Sequence, residues 1–417
     1  MNDKQSKIIY DSIHKSIGIP RHILSVISEK VFQRLTGVKQ LGLTYLVFPG
    51  AMHTRFEHSI GTYHLSTRVS QELNIDEHDA LTLQYSSLLH DAGHGPFSHT
   101  FDMILKKFYK TNHVEISSKI ILGDILYKGE NNIPYTMEKN SVSPKEVVNI
   151  LKGENLKEEK KYLHDIIDGE ADIDQIDYLL RDSYHTGVAL GSIDHERLIK
   201  SFEIFNGHLV VGKKGINAAE GLTVGRNLMY SSVYFHKTVR IAEVMLERAV
   251  ELKLLSLNNL EDIYIYDDAE LIQWLMGSEG ISKELAERIR FRELYKKAVI
   301  IEELENSHNI LPFFNEMYKE VNKKIEFENE LSLKWTGKPY KVFIDIPEME
   351  MDSLKSDKIK GIKIVKDNQL LLLKNISPIC EAISKKSLVP YKIMVICEDK
   401  YKENVKNEFD KLLKNIG

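Results

Sequence analysis

Half of the chain's 16 histidines crowd into one short window: His53, His58, His64, His78, His90, His94, His99 and His113. That window is about one seventh of the 417 residues, where an even spread would place two or three. Histidine is the commonest metal ligand and the usual acid or base near neutral pH, so the crowding directs attention to metal or acid–base chemistry. There are only two cysteines, Cys380 and Cys397, which excludes a disulfide scaffold and a Cys-based zinc site and fits a reducing compartment. Net charge is -5, so no global basic field argues for nucleic acid as the main partner. The N-terminal MNDKQSKIIYDS is polar and mixed in charge, unlike a signal peptide, and no apolar run approaches the roughly 20 residues that span a bilayer. The expectation is a soluble, cytoplasmic protein without a membrane partner.

The pattern along the chain is mostly helical. Residues Arg21 to Thr36 read as one amphipathic helix, and Gln40 to Arg55 as a short extended piece or hairpin. Helices are expected over Arg55 to Leu73, over Asp76 to His90 and from Ser98 onward, with a stop at Gly93, Gly95 and Pro96. Residues 123–143 read as a polar surface excursion. Helices resume over Pro144 to Lys152, Lys161 to Asp182, Asn217 to Leu254 with a break near Gly225, and 267–325. After Lys338, YKVFIDIP, IKIVKDNQLLLL and YKIMVICED read as strands, and PICEAISKKS and YKENVKNEFDKLLKNI as helices. The fold class expected is mostly α, with a helical body over 1–330 and a small α+β lobe over 331–417.

Four potential ligands stand out: His58, the adjacent pair His90 and Asp91, and Asp174. Two imidazoles and two carboxylates suit one divalent ion of intermediate hardness, such as Mn²⁺, Fe²⁺, Mg²⁺, Ni²⁺ or Zn²⁺. Adjacent residues diverge by about 100° in a regular helix, so His90 and Asp91 converge only if the helix ends there. Around Asp174, the residues Asp177, Tyr178, Arg181 and His185 recur on one face of a helix, a stripe that fits a cleft wall better than bulk solvent. Arg226, Tyr230, Tyr234 and Lys237 follow at steps of four, four and three. Rings interleaved with cations suit a nucleotide, with rings against sugar or base and cations on phosphates.

Three blocks, HTRFEHSIGTYHL, LLHDAGHGPFSHTFD and ADIDQIDYLLRDSYHTG, resemble the HD-domain phosphohydrolase superfamily. The branch they look most like holds the SAM-and-HD-domain deoxynucleotide triphosphohydrolases and the bacterial dGTP triphosphohydrolases. VFQRLTGVKQLG and RNLMYSSVYFHKTVR extend the resemblance over roughly 20–320. It implies a helical HD core, with the metal-ligand part at about 50–190, and His58, His90, Asp91 and Asp174 as ligands. The implied reaction is hydrolysis of a deoxynucleoside triphosphate at the α-phosphorus, giving deoxynucleoside and inorganic triphosphate. His94, His99, Asp102 and His113 would be catalytic, with His94 handling the proton of the attacking water and His99 the leaving oxygen or α-phosphate, or the two exchanged, and Asp102 orienting His99. Gln40, Leu41, Arg55, Gln175, Tyr178, Asp182, Arg226, Tyr234, His236 and Lys237 would bind substrate. Gln40, Leu41, Tyr178 and Tyr234 would line a sugar pocket that disfavours a 2′-hydroxyl. His53, His64 and His78 are expected to serve structure or surface. Family members usually form homo-oligomers, so a dimer or tetramer is expected.

The match departs at several points. A phosphate-contacting lysine of some relatives is Gln175 here, and a glutamate after the His113 position is Val114, with Glu115 next to it. Ser28 and Thr36 stand where some relatives read an activating guanine nucleotide with Asp and Arg, so guanine-triggered activation is not expected. About 20 residues precede the core, so no SAM domain is expected before it, and the signature of the cyclic-dinucleotide HD enzymes is missing. The competing readings are a nucleotidase or phosphodiesterase at the same metal, and a nucleotide-binding regulator without turnover.

Overall fold

The computed structural model describes residues 6–302, 313–314, 320–346, 361–384 and 393–416. The chain is mostly helical, with small sheets concentrated toward the C-terminal part. The helix Arg55–Glu72 starts where Thr54 N donates to Glu57 Oε2 at 2.6 Å, a reciprocal cap that satisfies an otherwise free first-turn donor. Glu77–Leu89 starts at Asp76, which accepts from Asp79 N at 3.0 Å, and gives way to the His90–Ser98 loop. Ile173–Thr186 is capped by Asp172, which accepts from Gln175 N at 2.7 Å. These helices pack around one large core that runs from Ile17 to Ile396.

Several elements differ from the sequence expectation, each for a local reason. The Arg21–Thr36 stretch is two short helices, Arg21–Ile27 and Lys30–Gln33, followed by the tight turn Arg34–Gly37. Glu29 is extended between them, and the turn sends Arg34 inward to the carbonyls of Ala92 and His94. Gln40 to Arg55 forms the 3₁₀ turn Gly42–Leu46 rather than a hairpin. Gly42 has φ +50, and a Cβ there would lie 2.9 Å from Phe97 O. The polar 123–143 excursion contains the helix Ile133–Lys139, which buries Ile133 and Met137. Lys161 to Asp182 is two helices, Tyr162–Asp168 and Ile173–Thr186. The predicted break at Gly225 is absent: the helix Ile216–Met229 runs through it and breaks at Tyr230–Tyr234, a wide π-type turn before Lys237–Leu255. Gly225 instead allows close approach to Leu190 O.

The strands expected after Lys338 form as Val342–Asp345, Lys363–Lys366, Gln369–Leu372 and Ile393–Cys397. Pro347, the tail of PICEAISKKS from residue 385, and Tyr391 and Lys392 lie outside the described residues. Lys296–Ile301, read as helical, is a strand; it and Val342–Asp345 flank Ile393–Cys397 in an antiparallel sheet of three. The hairpin Phe202–Phe205 and His208–Gly212 pairs in parallel with Lys363–Lys366, which pairs with Gln369–Leu372. A second small core, with Trp335, Val395 and Phe409, lies under the three-stranded sheet. Cys380 and Cys397 are buried and free. No helix among the described residues is long and apolar enough to cross a membrane.

An ion cluster ties the body to the C-terminal elements. Arg248, on Lys237–Leu255, is 2% exposed and donates to Glu251 at 2.5 Å and to Glu328, on Val321–Thr336, at 2.6 Å. Removing the cation leaves buried Glu251 with Lys107 and buried Glu328 with the Ile344 amide, each short of the charge that offsets its burial. Arg248→Ala is therefore expected to destabilise the fold by about 3–5 kcal/mol, measured by urea unfolding at constant m-value; a loss under about 1 kcal/mol would contradict this account.

Candidate active site

The helix Arg55–Glu72 carries His58, the end of Glu77–Leu89 carries His90 and Asp91, and the first turn of Ile173–Thr186 carries Asp174. One ligand atom each from His58, His90 and Asp174 lie within 4.8 Å of one another, the geometry of a site that can hold a metal ion. His58 Nε2 is 2.9 Å from Asp174 Oδ1, and His90 Nε2 is 3.7 Å from the same oxygen. Asp91 stands beside the three, with Oδ2 3.5 Å from His58 Nε2 and Oδ1 3.3 Å from His90 Nε2. Its Oδ2 is also drawn to Arg55 NH1, at 2.5 Å. Both Nε2 atoms are buried and lack a hydrogen-bond partner. The opposite nitrogens explain why: His58 Nδ1 donates to Asp177 Oδ2 and His90 Nδ1 to Ser87 O, each at 2.7 Å. Bare inner nitrogens and donating outer ones are the arrangement of metal-bound imidazoles.

The electrostatics agree. Burial opposes a charge on His58, yet the carboxylates of Asp174 and Asp177 raise it to about 10. Burial likewise opposes ionisation of Asp91, but Arg55 and the neighbouring imidazoles hold it well below the usual carboxylate range. The site carries an excess of negative charge that a cation satisfies. The residues present thus fit a divalent ion.

The His90–Ser98 loop is held from several sides. Arg34 NH2 donates to Ala92 O and His94 O at 2.8 and 2.9 Å. Gly93 N donates to Ser117 Oγ, which donates to His90 O. Phe97 N donates to Asp268 Oδ1 at 2.7 Å, and Arg55 Nε to Ser98 Oγ at 2.9 Å. Phe97 and Ser98 both have positive φ, 57 and 48, a strained pair kept by these contacts.

Beside the metal group, His94 stacks on His113 with centroids 4.0 Å apart. His113 Nδ1 donates to Asp102 Oδ1 at 3.2 Å, and His94 Nε2 is 3.3 Å from Asp91 Oδ1. Burial, then Arg55 and His113, push His94 down to about 3, so it stays neutral. His113 moves upward because Asp102 outweighs its burial. Asp102 was expected to orient His99; its shorter contact is to His113, while the exposed His99 lies 3.5 Å from the other oxygen.

One cavity of about 630 Å³ joins these groups to the other side-chain set, a volume in the range of small-molecule sites. Gln40, Leu41, Arg55, Gln175, Tyr178, Asp182, Arg226 and Tyr234 all line it. Tyr234 OH donates to Asp182 Oδ2 at 2.6 Å, and the Tyr178 and Tyr234 rings lie 6.3 Å apart, edge to face. Arg226 is 5% exposed, its guanidinium lies 5.5 Å from the Tyr230 ring, and its Nε has no hydrogen-bond partner. Burial opposes its charge, but Tyr178, Tyr230, which it bonds, and Asp172 hold it raised. Gln40 Oε1 is likewise buried and unpartnered.

His236 and Lys237 do not line this cavity. His236 caps the following helix by accepting from Thr238 N and packs edge-on against Phe48, and Lys237 turns to Glu302 at 3.4 Å. Gln175 donates to Gly169 O and Asp172 Oδ2. Glu115 does not stand in at the cavity; it pairs with Lys152. The Asp174 stripe is split: Tyr178 reaches the cavity, whereas Asp177 and Arg181 are fully buried behind it. His53, expected to serve structure or surface, is buried and bonded to Asp182 Oδ1 at 2.7 Å. The sequence reading missed Arg34 and the cavity residues Arg240, Glu243 and Glu247. A buried arginine in an otherwise apolar segment was the available signal for Arg34; the helical pattern of 237–255 carried none for the others.

Residues 55–182 match the model of the HD domain, and residues 193–415 that of the HD associated region. An uncharacterised protein of Methanocaldococcus jannaschii is 35% identical over 98% of this chain and 84% of its own length. The Gallus gallus deoxynucleoside triphosphate triphosphohydrolase SAMHD1 is 29% identical over 84% of this chain, which spans 59% of that protein. A crystal structure of a phosphohydrolase from Bacteroides thetaiotaomicron superposes with a TM-score of 0.69 at 26% identity, covering 94% of this chain and 99% of that one. The helical fold, the His–Asp pair at the end of its helix and these matches together place the chain in the HD-domain phosphohydrolase superfamily, to which it belongs.

Proposed function

We propose that this chain hydrolyses deoxynucleoside triphosphates to deoxynucleosides and inorganic triphosphate. The observation that carries the reading is a single cavity that brings the metal group together with a buried arginine, Arg226, whose Nε has no partner, beside the Tyr178–Tyr234 pair. A buried guanidinium with an N–H left over suits a phosphate oxygen. Gln40, Leu41, Tyr178 and Tyr234 form the sugar pocket, with the Gln40 amide free to bond a 3′-hydroxyl. Asp182 is held by His53 and Tyr234, so both its oxygens and the tyrosine ring are fixed. A 2′-hydroxyl meets those rings without a partner.

A divalent ion on His58, His90, Asp91 and Asp174 would supply a nucleophile at neutral pH and withdraw charge from phosphate oxygens. Arg55 and Arg226 hold the phosphates. Water attacks the α-phosphorus and the bond to the 5′-oxygen breaks. His94, 3.3 Å from Asp91, is placed to receive the water's proton once bound phosphate offsets the Arg55 charge that holds it down, and His99, exposed at the cavity, delivers one to the departing oxygen. Asp102 steadies His113 and His99 together.

One observation favours a second reading. Among the described residues, Asp91, Asp102, Asp168, Asp174, Asp182, Glu243 and Glu247 line the cavity against three arginines, and Gln175 brings no charge. A phosphomonoester or diester carries less charge into such a cavity than a triphosphate. The chemistry at phosphorus would be the same, with orthophosphate or a nucleotide as product.

Incubation with the eight ribo- and deoxyribonucleoside triphosphates and several monophosphates, with Mn²⁺ or Mg²⁺, should release inorganic triphosphate from the deoxy substrates. Orthophosphate from monophosphates alone would support the second reading. His58→Ala should lose bound metal and at least about a thousandfold in turnover, the scale expected when a reaction loses its electrostatic core; an active, metal-free variant would refute the assignment. Tyr234→Ala should narrow the deoxy-over-ribo preference in kcat/KM by about tenfold or more, the effect of one lost steric contact. Unchanged selectivity would remove Tyr234 from the sugar pocket.

A further inference from the structure

The metal group is braced from behind by a segment some 40 residues upstream of its first ligand. The strands Lys7–Asp11 and Lys15–Ile19 form an antiparallel hairpin in which Asp11 pairs with Lys15. Within its turn, Asp11 Oδ1 accepts from the backbone of Ile13 and His14 at 2.9 and 2.8 Å. Asp11 Oδ2 also accepts from Arg181 NH1 at 2.7 Å. The turn therefore does not splay into solvent. It aims the His14 ring inward, where the side chain is 3% exposed.

There His14 Nε2 donates to Asp177 Oδ1 at 2.7 Å, and His58 Nδ1 donates to Asp177 Oδ2 at the same distance. Arg181 adds NH2 to the first oxygen and Nε to the second, each at 2.9 Å. Four donors thus meet one carboxylate with no exposed surface, and its acceptor capacity is fully used. The helix that carries His58 is shaped around this carboxylate. Gly61 lies one turn past His58, and a Cβ there would fall 1.9 Å from Asp177 Oδ1 and 2.5 Å from Arg181 NH2. A second contact from the same turn, Ser12 Oγ to His185 Nε2 at 3.1 Å, holds the hairpin against the far end of the Asp174 helix. His185 in turn stacks on His53, 4.6 Å between centroids, the residue that bonds Asp182.

We infer that His14 is a positioning residue of the metal centre: it pins one oxygen of Asp177 so that the other faces His58 Nδ1 and the bare Nε2 lies toward Asp174 and Asp91. Arg181 supplies the counter-charge. The two imidazoles, one on each oxygen, set the plane of the carboxylate. An unpinned Asp177 rotates and loosens the ring it orients, and an imidazole with a poorly held outer nitrogen is a weaker ligand. The N-terminal hairpin is then part of the metal site although it supplies no ligand.

This inference rests on the metal-site reading above, and the test separates the two. Mn²⁺ alone is titrated into the full chain by chelator competition, for the wild type, His14→Leu and His14→Gln, and the melting temperature of each metal-free protein is recorded. Leu fills the volume without an N–H, and Gln keeps an N–H that can reach Asp177. His14→Leu should bind Mn²⁺ about tenfold more weakly, the low end for a group behind a ligand, and His14→Gln should recover most of that loss. A folded His14→Leu with wild-type affinity overturns the inference. Equal weakening in His14→Leu and His14→Gln also overturns it, since only a general loosening would act that way. If His14→Leu does not fold, His14→Asn replaces it, being polar but too short to reach Asp177, with the same loss expected and the same unchanged affinity decisive against. A wild-type protein that binds no Mn²⁺ refutes the metal site itself; wild-type binding with unchanged variants refutes only the role of His14.

Discussion

The cavity's chemistry depends on which nitrogen of His58 carries the hydrogen. Asp177 can only accept, so the hydrogen sits on Nδ1 and Nε2 presents a lone pair. That lone pair points at Asp174 Oδ1, 2.9 Å away, another electron-rich atom. Two such atoms repel in a buried site unless a proton or a cation lies between them. The upward shift of His58 to about 10 expresses the same demand, met by a proton when no ion competes. His90 repeats the logic with a backbone carbonyl in place of a carboxylate. Two helices thus deliver two bare nitrogens to one point, each fixed from its far side.

The adjacent pair His90 and Asp91 needs a different device, because neighbours on a helix do not converge. The helix stops at Leu89, and the following loop is held in a shape its own residues would not choose. Arg34 takes two of its carbonyls, Ser117 takes an amide and gives a hydrogen to a carbonyl, and Asp268 takes another amide. The strained φ values at Phe97 and Ser98 are tolerated because these contacts over-determine the loop. Gly93 is required for a separate reason: a Cβ there would meet His113 O at 2.2 Å, so the loop could not lie on the helix that brings His113 to His94.

Much of this could be read from the chain, and the exceptions share a cause. Helices with their own caps and apolar stripes, such as Arg55–Glu72 and Pro144–Lys152, fall where periodicity put them. His58, His90 and Asp174, the residues to which the resemblance pointed, come within 4.8 Å of one another, with Asp91 beside them. Elements whose conformation is set by distant partners were misread. Arg21–Thr36 breaks so that Arg34 can reach the His90–Ser98 loop, and Lys296–Ile301 is a strand because Ile393–Cys397 lies beside it. Gly225 looked like a helix break but marks a close approach, while the real break at Tyr230 carries no glycine. Asp177 and Arg181 sat on a polar stripe that periodicity cannot assign to solvent, cavity or interior. Only the partner hairpin decides that, and its own short sequence gives no hint of what its turn covers.

The balance of charge along the cavity limits what the site can hold. Carboxylates outnumber arginines there by seven to three, and two of the arginines are already engaged, Arg55 by Asp91 and Arg240 by Glu243 and Asp345. Arg226 bonds Tyr230 and feels Asp172, and its Nε has no partner. A polyphosphate entering such a space meets repulsion that a single guanidinium does not offset at low local dielectric. On the proposed reading, a polyphosphate would enter with its charge reduced by a divalent cation carried on its own phosphates. Gln175 fits that reading, since a neutral side chain spent on Gly169 O and Asp172 would add no cation to what Arg55 and Arg226 bring to the phosphates.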